Sequence, residues 1–116
     1  MSDLGLRVTM DEIAAGIPTP DGKRFRRAFA RGTLEVELYA PRGADPQQPH
    51  DRDELYVVAK GSGTFVCGEE RMPFGPHDVL FAPAGLAHRF EGFGDDFFVW
   101  VMFYGPEGGE KAEVER

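Results

Sequence analysis

Three side chains in this sequence have the types and spacing of a divalent-cation site. His50 and Glu54 stand four residues apart within QPHDRDELYVVAKG, residues 48–61, and His88 lies in GPHDVLFAPAGLAHRF, residues 75–90. Two imidazoles and a carboxylate offer the nitrogen and oxygen donors that iron, manganese, nickel and zinc accept. Taken singly the same groups are ordinary. A lone histidine is more often structural or exposed, and Glu54 alone could be an acid paired with Arg52 or Arg89. His77 reads as an exposed turn residue.

The elements that would position these groups are strands. Pro46 and Pro49 keep the first segment extended and out of helix, and the run Glu54-Leu-Tyr-Val-Val-Ala suits a pleated surface. Alternation puts Glu54, Tyr56 and Val58 on one face and Leu55, Val57 and Ala59 on the other. Neither face is strongly polar, so both are expected to be covered, and a carboxylate there is costly unless paired or bound to a cation. Downstream, Val79-Leu-Phe-Ala reads as a strand stopped by Pro83-Ala84-Gly85. A further strand then places His88 and Phe90 on the face opposite Arg89. The strands of the two segments are expected to be antiparallel neighbours that bring their inward side chains together.

The two segments resemble the paired motifs of the cupin superfamily. The match is Gln48-x-His50, Glu54 and Gly61, then Asp78, Pro83-Ala84-Gly85 and His88. Gln48 stands where the family usually has its first histidine, and His77 where it usually has the glycine before the aspartate. The resemblance implies an all-β fold, a cupin-like double-stranded β-helix or jelly-roll barrel in one domain. It implies a divalent transition metal held by His50, Glu54, His88 and, at the margin, Gln48. Tyr56, Phe65, Phe81, Phe90 and Trp100 are the expected walls of a pocket for a small-molecule ligand or substrate. A small metal-dependent oxygenase is the leading functional expectation, beside a non-catalytic small-ligand or sugar-binding module and a cupin-type isomerase. Small barrels of this kind often pair, so a homodimer is expected.

The rest of the chain bounds the reading. At 116 residues it is long enough for one core and too short for two. The 15 glycines and 9 prolines suit an all-β chain with many turns. A net charge of -7 argues against nucleic acid, where phosphate neutralisation dominates binding. No apolar run is long enough to span a bilayer, the N-terminal residues lack the pattern of a signal peptide, and one cysteine, Cys67, excludes an internal disulfide. The expected compartment is the cytoplasm, and Cys67 is expected to be a small core residue.

The expected organisation is an N-terminal segment over 1–22, a barrel over 23–105 and an acidic, frayed tail over 106–116. Thr9-Met-Asp-Glu12 has the pattern of a capping box for a helical turn over 11–15. Residues 23–31, KRFRRAFAR, hold five basic residues and read as an edge strand guarded by charge. Residues 33–39 alternate Leu34, Val36 and Leu38 against Thr33, Glu35, Glu37 and Tyr39. Residues 63–67 are expected to continue the sheet, with a hairpin at 68–70, and 96–104 to form a long last strand that is apolar on both faces.

Overall fold

The structure, a computed structural model, describes residues 5–111. A short helix, α1 (Met10–Ala14), precedes eight strands: β1 (Phe25–Arg31), β2 (Leu34–Tyr39), β3 (Asp53–Lys60), β4 (Gly63–Cys67), β5 (Glu70–Phe74), β6 (Val79–Ala82), β7 (His88–Glu91) and β8 (Phe98–Tyr104). They form a five-stranded antiparallel sheet in the order β1-β2-β8-β3-β6 and a three-stranded one in the order β5-β4-β7. The all-β expectation holds. The two sheets share one core, and neither closes on itself.

Local chemistry accounts for the elements. Thr9 caps α1: its Oγ1 accepts from the Glu12 backbone N–H at 3.2 Å and donates to Glu12 Oε1 at 3.0 Å, so the helix starts one residue earlier than expected. The basic β1 is an edge strand, and its charges are spent locally. Arg27 pairs with Glu35 at 2.5 Å, and Arg26 reaches the Glu12 carbonyl at 3.2 Å.

On β3 the alternation comes out as the residue pattern requires, with Glu54, Tyr56 and Val58 buried and Leu55, Val57 and Ala59 half-buried. The register Glu37↔Val101↔Tyr56 and Glu35↔Phe103↔Glu54 then puts Glu35, Glu37 and Tyr39 of β2 on the same inner face. Val36 and Leu38 lie on the outer face beside Met102 and Trp100.

Two expected connections differ. Residues 63–67 do not continue the sheet of β3, because the chain turns at Gly61 and β4 joins the second sheet. Gly61 has φ +93°, and a Cβ there would lie 2.8 Å from Phe97 Cα, so only glycine allows the crossing. The tail expected to fray from residue 106 is tied down as far as Glu110. The Gly108 N–H donates to the Asp51 carbonyl at 2.7 Å and the Glu110 N–H to Asp53 Oδ2 at 2.9 Å. The end of that tail lies outside the described residues.

The core between the sheets is aromatic. Phe90 stands 5.0 Å from Tyr56, 5.4 Å from Phe65 and 5.0 Å from Phe97, centroid to centroid. Cys67 is buried among them, as expected for a small core residue. Among the described residues no helix is long and apolar enough to cross a membrane.

Candidate metal centre

Glu54 is the centre of the site. It leads the inner face of β3, is 1% exposed, and divides its oxygens between two tasks. Oε1 accepts from the Tyr56 hydroxyl at 2.8 Å, and Oε2 lies 2.6 Å from His50 Nδ1 and 2.9 Å from His88 Nε2. Donor atoms of His50, Glu54 and His88 all fall within 4.8 Å of one another. The three residues expected to converge do converge.

Their meeting is across the barrel rather than along a ladder. The motifs are antiparallel neighbours through β3 and β6, with Glu54 opposite Ala82, but β7, which carries His88, pairs with β4, where Cys67 stands opposite it. Contact comes instead from the two sheets facing each other. Beside the β3–β6 ladder, two further hydrogen bonds tie the motifs together. The Gly85 N–H donates to the His50 carbonyl at 2.8 Å, and the Ala84 N–H to Asp53 Oδ1 at 2.9 Å. Gly85 takes φ +80°, which suits glycine in that turn. His77, where a glycine was expected, takes φ 74° and is exposed, as a turn residue should be.

The electrostatics suit a cation. Burial alone would raise the Glu54 carboxyl, but the hydrogen bonds with His50 and Tyr56 and the close His88 imidazole hold it down at about 2. Burial would also lower His88. The Glu54 carboxylate and the Leu86 carbonyl outweigh it and leave His88 above the ordinary histidine range. His88 Nδ1 lies 2.8 Å from the Leu86 carbonyl, so Nδ1 carries the proton and Nε2 points at the carboxylate. Nε2 is the buried side-chain nitrogen or oxygen, among the described residues, that has no hydrogen-bond partner: it is close to Oε2 but not aligned for a hydrogen bond. A neutral imidazole nitrogen facing a carboxylate at 2.9 Å requires a positive charge between them, a proton or a metal ion.

The site opens into a cavity of about 710 Å³ lined by residues that include Glu37, Tyr39, Gln47, Gln48, His50, Glu54 and Phe103. Gln48 lies on this lining and is exposed, whereas its neighbour Gln47 reaches the centre and meets the Tyr56 hydroxyl at 3.3 Å. Asp45 steadies that loop. It accepts from Tyr39, from Gln47 Nε2 at 2.5 Å and from the Phe90 N–H at 2.9 Å.

None of the five expected pocket walls lines the cavity. Tyr56, Phe65 and Phe90 stack into a filled core. Phe81 is 45% exposed and Trp100 is half-buried, both on the outer face of the five-stranded sheet. The open space lies instead beside β2 and the loop after it. Glu37, which the residue pattern did not single out, is the notable wall: burial and the charge of Glu54 raise its carboxyl to about 7. Its parity with Glu35 and Tyr39 was visible; that this face turns inward was not.

Comparison with known proteins agrees with this architecture. The Cupin domain family (Cupin_2) matches residues 35–104. An uncharacterized protein of Streptomyces coelicolor is 33% identical over 100 residues, 84% of this chain and 94% of that protein. A glucose-6-phosphate isomerase of Pyrococcus abyssi is 36% identical over 64 residues, 51% of this chain but only 34% of the isomerase. Among solved structures, a Cupin 2 conserved barrel domain protein from Salinispora arenicola superposes with a TM-score of 0.66 over 90% of this chain and 91% of its own, at 19% identity. With the family match running from β2 to the end of β8, and a relative of that identity spanning most of its length, the chain belongs to the cupin superfamily.

Proposed function

We propose that this protein is a metal-dependent oxygenase acting on a small molecule, with a divalent transition ion (iron, manganese, nickel or zinc) held by His50, Glu54 and His88. The observation that carries the reading is His88 Nε2, buried, without a hydrogen-bond partner and 2.9 Å from a Glu54 carboxylate oxygen. An ion bound there supplies Lewis acidity or redox chemistry, and two histidines with one carboxylate leave positions open for other ligands. The chain's own residues do the rest. Tyr56 holds one Glu54 oxygen and turns the other toward the imidazoles, and Leu86 sets the His88 tautomer. Glu37, in the same cavity, can take or release a proton near neutral pH.

A second reading, an isomerase of cupin type, is supported by the glucose-6-phosphate isomerases among the relatives. One experiment separates the readings. Elemental analysis of purified protein identifies the ion, and candidate substrates are then turned over by iron-restored protein at an oxygen electrode. The oxygenase consumes oxygen in step with substrate; product formed at an undiminished rate under argon rejects it in favour of the isomerase.

A further inference from the structure

The mouth of the cavity carries charges that the His–Glu–His centre does not use. In a chain of net charge -7, three cations gather at one rim: Lys23 and Arg24, which lead into β1, and Arg42, which follows β2. They line the same cavity as His50 and Glu54. Guarding the sheet edge does not explain them. That task falls to side chains on β1 itself, where Arg26 and Arg27 are engaged with α1 and Glu35.

Arg24 is held for another purpose. The Ala40 N–H donates to the Arg24 carbonyl at 2.9 Å, and Arg24 Nε donates back to the Ala40 carbonyl at 2.8 Å. This reciprocal pair anchors the near side of the guanidinium, and its terminal nitrogens make no hydrogen bond or ion pair among the described residues. Arg42 meets Asp95 only at 4.0 Å, and Lys23 meets Asp21 at 3.6 Å over the Phe25 ring, all of them exposed and weak pairings. Burial lowers the Arg24 guanidinium from its ordinary range, and the charge of Arg42 lowers it further, with Asp95 offsetting only part of this. Two like charges set together on a cavity rim cost free energy that a bound anion reverses.

We propose that Arg24, Arg42 and Lys23 form an anion subsite, holding the phosphate or carboxylate of a small substrate whose other end lies at the His50–Glu54–His88 floor. A guanidinium with both terminal nitrogens free presents the fork that oxyanions bind in bidentate fashion. The Glu54 carboxylate at the floor repels an anion, so charges of opposite sign at the two ends of the cavity orient the ligand. Its volume, about 710 Å³, is that of a small-molecule site. The placing of the far end rests on the metal-centre reading; the subsite itself does not need the ion.

Titration calorimetry at low salt tests this with glucose 6-phosphate, gluconate and glucose, on chelator-treated and on metal-loaded protein. At least one of the two anions is expected to bind in both preparations, and glucose at least about tenfold more weakly. Which anion binds decides between phosphate ester and carboxylate. Arg42→Gln, an exposed change that leaves the Arg24–Ala40 pair intact, is expected to weaken binding about tenfold, and Arg24→Gln at least as much. Anion affinity unchanged in both variants overturns the subsite. So does binding that disappears with chelator yet ignores the arginines, an outcome that leaves the metal centre standing, and so does glucose binding as tightly as the anions. A subsite that survives chelation in a protein unable to take up metal supports this inference while rejecting the function above.

Discussion

The Gly85 N–H donates to the carbonyl oxygen of His50 at 2.8 Å, and this one bond joins the turn before His88 to the segment that carries the other two members of the centre. Asp53 adds a second tie and a third. Its side chain, 3% exposed, accepts from the Ala84 N–H and the Glu110 N–H, both at 2.9 Å. The site is thus anchored by the His50 carbonyl and the Asp53 carboxylate, groups other than the imidazoles and the Glu54 carboxylate that would meet a ligand.

Metal binding is expected to stabilise the fold. With free ion at about 100 times its dissociation constant, mass action contributes roughly 2.7 kcal/mol, several degrees of melting temperature for a chain of this size. Melting curves with chelator, then with iron, manganese, nickel or zinc, are the measurement. Glu54→Gln and His88→Ala are expected to abolish the rise. Since His88 titrates above its ordinary range, protons compete with the ion and the rise shrinks as the pH falls through and below neutrality. No shift with any ion would sink the metal centre.

Glu37 makes stability fall as pH rises. In the fold its carboxyl keeps a proton up to about pH 7, whereas its ordinary value is 4.5, so between those values the folded state binds more protons than the unfolded chain. Its stabilising contribution is complete below pH 4.5 and lost as the pH climbs through 7. Glu37→Gln stays neutral throughout. It is expected to melt higher than the parent at pH 8, by on the order of 1–2 kcal/mol, with the gap closing by pH 5. Parallel melting profiles for the two proteins across that range would rule this out.

Gly61→Ala is expected to cost about 2–4 kcal/mol, because the new methyl meets Phe97 Cα at 2.8 Å on a backbone of positive φ. Chemical denaturation measures it. A loss below about 0.5 kcal/mol would mean that the corner between the sheets relaxes freely.

Asp53→Ala strands two backbone donors and is expected to cost about 2–3 kcal/mol, with Asp53→Asn recovering part of the loss through its remaining acceptor. Denaturant midpoints compare the three proteins. Equal midpoints for the alanine variant and the parent would show that water replaces the carboxylate without penalty.

A homodimer is expected to form over the outer face of the five-stranded sheet. Leu55, Val57, Trp100 and Met102 lie there half-buried, with Val79 63% and Phe81 45% exposed. Light scattering should report twice the chain mass of 12.9 kDa, and Phe81→Asp should return it to the monomer. A parent protein that runs as a monomer at micromolar concentration rejects the interface.

Residue types and their spacing determined the strands, their inner and outer faces on β3, the capped first helix and the convergence of His50, Glu54 and His88. These follow from alternation, turn chemistry and the high cost of burying a carboxylate alone, all of them local or pairwise rules. Tertiary structure decided which sheet each strand joins. The corner at Gly61 sends β4 and, with it, β7 to the second sheet, so His88 reaches Glu54 across the core. It also decided where the empty space lies. Five aromatic positions looked like pocket walls because each is large and apolar. Packing closed three of them on one another and turned Phe81 and Trp100 outward. The cavity was left to Glu37, Tyr39 and the residues beside Arg24 and Arg42: the β1–β2 hairpin brings the two arginines to one end, and the pairing of β2 with β8, far away in the chain, sets them above the centre.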